Sequence, residues 1–77
     1  MPFVNIKVLK GALTKAQKQE MIARVSEVVA EIEARPHPKE KVMPHVTVII
    51  DDVEFENWGA GGIQVTPAML KALLDAE

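Results

Sequence analysis

The chain has 77 residues, no cysteine and a formal net charge of −2, with 48% hydrophobic residues. That length suits one domain over residues 1–77, and the lack of cysteine excludes disulfides and thiolate metal sites. The charges are interspersed without a basic stripe, which argues against a nucleic-acid partner; no apolar run reaches membrane-spanning length, and with no signal peptide the expected location is the cytoplasm.

The chain opens Met1-Pro2-Phe3-Val4-Asn5-Ile6-Lys7-Val8. Once Met1 is removed, Pro2 carries a free secondary amine. Such α-amino nitrogens titrate at roughly 8, against roughly 10.4 for lysine. A base poised near neutral pH suits proton transfer to and from carbon. If Met1 is retained, the nitrogen is a tertiary amide without basicity. The simpler alternative is a proline that only fixes φ ahead of a first strand, where no ladder donor is needed.

Residues 3–9 alternate, with Val4, Ile6 and Val8 on one side and Phe3, Asn5, Lys7 and Leu9 on the other. That period of two predicts a strand, ended by Gly11. Thr14-Lys15-Ala16-Gln17 has the form of a capping box. The helix it opens carries Met21, Ile22, Val25, Val28, Val29 and Ile32 at intervals expected of one apolar stripe. Glu20–Arg24 and Glu31–Arg35 are spaced for ion pairs on its solvated side. Pro36 and Pro38 end it, and residues 36–44 form a loop.

A second strand is expected from His45 to Val53, with His45, Thr47, Ile49 and Asp51 on one face. Strand, helix and strand make a βαβ unit, whose strands should be parallel and whose crossover should be right-handed. Gly59-Ala60-Gly61-Gly62 predicts a tight turn, and Ile63–Val65 a short return strand. Thr66-Pro67 supplies an N-cap and a first-turn proline. Met69, Leu70, Leu73 and Leu74 form the apolar side of a short terminal helix, which must dock to persist. Two strands and one long helix leave a bare sheet face and bare edges. The expected remedy is a homo-oligomer: two copies pairing their sheets into four strands, or a multiple of such dimers.

Taken together, Pro2, Gly11, Gln17-Lys18, Met21-Ile22, Val25-Ser26-Glu27, Val48-Ile49-Ile50 and Asn57-Trp58-Gly59-Ala60-Gly61-Gly62 resemble the 4-oxalocrotonate tautomerase family over residues 2–65. The resemblance implies an α+β fold: a β-α-β protomer whose sheet is completed by dimerisation, often within hexamers. It implies catalysis by Pro2, which takes a proton from an enol and returns it to carbon, with no metal or organic cofactor. Small enol or keto acids are the implied substrates.

The departures bear on substrate. Typical members carry an arginine just after the glycine that ends the first strand, and a second one in the second strand. Here those positions are Ala12 and Thr47. Neither can grip a carboxylate as a guanidinium does, so a substrate with one carboxylate or none is expected. Trp58, His45 and Lys10 are the candidate substrate-binding residues, each with a plainer alternative: interface packing, a backbone-bonded polar residue and a solvated cation. Two other readings stay open. One is a dehalogenase or hydratase, with Asp51 or Asp52 as acid. The other is a catalytically degenerate scaffold or binding module of the same fold.

Overall fold

The protein is described here by a computed structural model covering residues 1–76. Strand β1 spans Phe3–Leu9 and β2 spans Thr47–Val53. They pair in parallel, with Phe3 opposite Thr47 and Leu9 opposite Val53. Helix α1, Lys15–Ala34, makes the crossover. The capping box forms in full: the Gln17 amide donates to Thr14 Oγ1 at 3.1 Å, and the Thr14 amide donates to Gln17 Oε1 at 2.8 Å. Two donors that α1 would leave orphaned are thereby satisfied.

The second strand begins two residues later than expected. His45 closes a 3₁₀ turn, Met43–His45, and its amide donates to the Val42 carbonyl at 2.8 Å. Pro44 lacks an amide hydrogen and favours the turn over a sheet ladder. His45 therefore does not share a strand face with Thr47. A second 3₁₀ turn, Lys39–Lys41, occupies the same connection.

The six apolar positions of α1 do not all face the sheet. The buried residues are Ser26, Ala30 and Ala34, spaced four apart, with Val25 and Val29 half-buried. All three buried positions carry small side chains. Val28 and Ile32 remain 55% and 57% exposed on a flank. Leu9, which alternation places with Phe3 on the sheet face away from Val4, Ile6 and Val8, is buried at the turn where the Ala12 amide donates to its carbonyl at 3.0 Å. Phe3 and Ile49 do stand exposed on that face.

Strands β3, Gly59–Ala60, and β4, Ile63–Gln64, form the expected antiparallel hairpin, one residue shorter at its end. Gly61 and Gly62 join them with φ of +62° and +82°. Positive φ at both central residues is what a type I′ turn requires, and glycine takes it without a Cβ clash. Helix α2, Pro67–Asp75, follows, and its cap Thr66 accepts from the Met69 amide at 3.2 Å.

The protomer is long and thin. Its radius of gyration is 15.8 Å and its extents are 45 × 25 × 21 Å. A closed domain of this length has a radius of about 11.5 Å. Its accessible surface is 5836 Å², against about 4,650 Å² for a folded monomer of this mass. Among the described residues, Leu9 is the only large apolar side chain that is buried.

Candidate active site

Pro2 sits at the head of β1, half-buried. Its carbonyl accepts from the Thr47 amide at 3.0 Å, which fastens this residue to the start of β2. The Met1 amine that precedes it lies 3.8 Å from Glu33 Oε1, near the end of α1. The 3₁₀ turn carrying His45 leads directly into Thr47, so His45 is the one candidate binding residue whose segment reaches the Pro2 end of the sheet. Its ring is exposed.

Lys10 and Gly11 lie at the other end of β1. At about 3.3 Å per residue, the strand separates Pro2 from Gly11 by roughly 30 Å. The Lys10 amide continues the ladder to the Val53 carbonyl at 2.8 Å. Its side chain is committed to Glu54 at 2.8 Å, and that hydrogen bond raises the lysine above its ordinary value. Trp58 lies toward the Lys10 end of the sheet, beside Val53, whose carbonyl accepts the Lys10 amide. It is half-buried and lines a shallow cleft of about 300 Å³ with Lys7, Val53, Asn57 and Gly59. One protomer therefore keeps Pro2 at one end of the sheet and Lys10 and Trp58 toward the other.

Two features were missed in the sequence. On the bare sheet face, Asp51 accepts from Asn5 at 2.9 Å and from Lys7 at 3.0 Å. The Asn5 hydrogen bond, then the Lys7 hydrogen bond and charge, hold the Asp51 carboxyl below its ordinary value. The polar strand-end appearance of Asp51 in the sequence concealed a cross-strand cluster. Only the parallel register could reveal it, since Lys7 stands opposite Asp51. The other feature is a cleft of about 360 Å³ between the Lys10–Ala12 turn, Phe55 and α2. Among the described residues, no group of three or more His, Asp or Glu gathers as a metal-ligand set, and no helix is long and apolar enough to cross a membrane.

A proline just ahead of the first strand, a parallel βαβ crossover and a Gly-Gly hairpin define a small α+β fold. The family model described as "Tautomerase enzyme" matches residues 2–68, beginning at Pro2. The chain belongs to the tautomerase family. It is 42% identical over 66 residues to a probable tautomerase of Dickeya dadantii, covering 86% of this chain and 90% of that one. It is 38% identical over 63 residues to the 2-hydroxymuconate tautomerase of Pseudomonas putida, covering 82% and 89%. Among solved structures, a 4-oxalocrotonate tautomerase isozyme from Methylibium petroleiphilum superposes with a TM-score of 0.62 at 39% identity, covering 94% of this chain and 97% of that one. DmpI from Helicobacter pylori gives 0.62 at 36% identity, covering 83% and 90%. A tautomerase function follows from this membership, and with it the expectation of an isomerase.

Proposed function

We propose that this protein is a cofactor-free keto–enol tautomerase in which Pro2, freed by removal of Met1, is the general acid/base. The observation that carries the proposal is the place of Pro2. It heads the strand, the family match begins there, and its own carbonyl is anchored at 3.0 Å to Thr47. The nitrogen is thus held by a ladder bond within its own residue rather than on a loose tail. In the reaction the Pro2 nitrogen accepts the enol O–H proton. The carbon–carbon double bond shifts as the carbonyl forms. The resulting ammonium then delivers its proton to the carbon that has gained electron density.

Ala12 and Thr47 stand where typical members carry arginine, so the proposed substrates bear one carboxylate or none. His45 and Trp58 remain candidate binding residues, and Lys10 stays one despite its link to Glu54. A second copy is proposed to complete the site, because the ends of β1 are too far apart to serve one substrate. The excess of accessible surface supports this assembly, as do the two open edges of the two-stranded sheet. A cytoplasmic location belongs to the same reading.

The test begins with the intact mass of protein from its native host. A mass lacking one methionine gives Pro2 a free amine. That form should accelerate ketonisation of an aryl enolpyruvate, and acetylation of its N-terminus should abolish the effect. Pro2→Ala leaves a weaker-fitting primary amine and should lower kcat/KM by about 10²-fold. Unchanged turnover in that variant would rule out proline catalysis.

A further inference from the structure

Helix α2 begins at Pro67, so almost all of it lies beyond residue 68, where the family match ends. With the turn that ends β1 it lines the open cleft of about 360 Å³ beside Ala12. The walls are apolar at Phe55, Leu70 and Leu74, with Leu70 and Phe55 half-buried. Two cations reach this cleft, Lys10 from the turn and Lys71 from the helix. They are not equivalent. Lys10 is paired with Glu54 at 2.8 Å. Lys71 has no ion-pair partner among the described residues, although Asp75 lines the same cleft.

We infer that this cleft is a carboxylate-binding site for a small aryl or alkyl acid, with Lys71 as the cation that receives the carboxylate. The inference deepens the tautomerase reading and rests on it for the identity of the ligand as substrate. Ala12 leaves room where a larger side chain would fill the cleft. The apolar wall then takes the hydrocarbon body of the acid, while Lys71 takes its charged end. A lysine is a point charge without the bidentate fork of arginine, so a single carboxylate suits it. Pro2 lies at the far end of β1, so this cleft would serve the Pro2 of a second copy. Helix α2 thereby becomes a specificity element rather than a mere cover for apolar surface.

The probe is 3-phenylpropanoate, an inert acid with an aromatic body and one carboxylate. Its binding is followed by titration calorimetry and by NMR shifts of α2 and residues 10–12. Wild type should bind it, and Lys71→Met should weaken binding about tenfold or more, as loss of a charged hydrogen bond does. Lys71→Arg should retain most of the affinity, and Asp75→Asn should increase it by removing a competing carboxylate. In turnover, Lys71→Met should lower the ratio of kcat/KM for phenylenolpyruvate over that for its methyl ester by about tenfold. Circular dichroism of each variant checks that the fold is intact. No binding by wild type, or equal binding by wild type and Lys71→Met, overturns the site. Lys71-dependent binding in a protein without turnover leaves the carboxylate site standing and overturns the tautomerase reading instead.

Discussion

Asp51 shows how one residue couples the two strands. Its carboxylate collects Asn5 and Lys7 from β1 while belonging to β2. Its proton affinity is lowered in the folded chain, chiefly by the Asn5 hydrogen bond and then by Lys7. The ordinary value is 3.8. A carboxyl held below that value contributes stability that is fully present above it. The contribution is lost as pH falls through the lower folded-state value. The group is open to solvent, which screens it, so the effect should be modest. Asp51→Asn should therefore melt below wild type at pH 7, and the two melting curves should converge as pH approaches 2. An equal gap at both pH values would show that the cluster is not what Asp51 contributes. The same residue marks a limit of reading sequence alone. Alternation places Asp51 on a face, but its partners lie 44 and 46 positions away. Pro2 was legible because its chemistry is intrinsic to its place in the chain. Lys71 was not, because the role inferred for it comes from the cleft that α2 lines with the Lys10–Ala12 turn.

At the level of elements, local rules carried most of the fold. The Thr14–Gln17 capping box, the proline stop after α1 and the Gly61-Gly62 turn each formed as expected. Thr14→Ala removes the side-chain half of the box and should cost about 1 kcal/mol, read from the urea midpoint. Periodicity failed on two points, the first in α1. It identified an apolar stripe on α1 but not which part of it meets the strands. The buried row is Ser26, Ala30 and Ala34, and Ala30 is wholly buried. Tight contact there selects small side chains, and hydrophobicity scales do not report tightness. Ala30→Leu should thus destabilise by about 1–3 kcal/mol through overpacking, even though it makes the helix more apolar. An unchanged or raised midpoint for that variant would mean the helix–sheet spacing is loose. The late start of β2 has a similar origin: alternation ran back to His45, but Pro44 and the 3₁₀ bonds claimed those residues first.

The whole protomer has too much surface for its length, and the surplus is organised. Met21, Val25, Val28 and Ile32 follow one another at intervals of four, three and four along α1. That is the spacing of a helix seam packed against another element. Within the protomer, Met21 and Val25 are half-buried, while Val28 and Ile32 are mostly exposed. The sheet has only β1 and β2, so each strand also has an unpaired edge. A strand edge and an apolar flank left open in an elongated chain are both surfaces that the proposed second copy would cover. If the protomer worked alone, Ile32→Lys would replace an exposed apolar residue on a solvated helix and change stability by no more than about 0.5 kcal/mol. If the seam is an interface, the substitution buries an unpaired charge. The molar mass by sedimentation should then fall toward that of one chain, and the melting temperature should fall with it. The wild-type melting temperature should also rise with protein concentration, because association stabilises by mass action. A protein that sediments as a single chain at every concentration, with Ile32→Lys melting like wild type, would defeat the assembly. It would also remove the means by which the cleft at Lys71 reaches a Pro2.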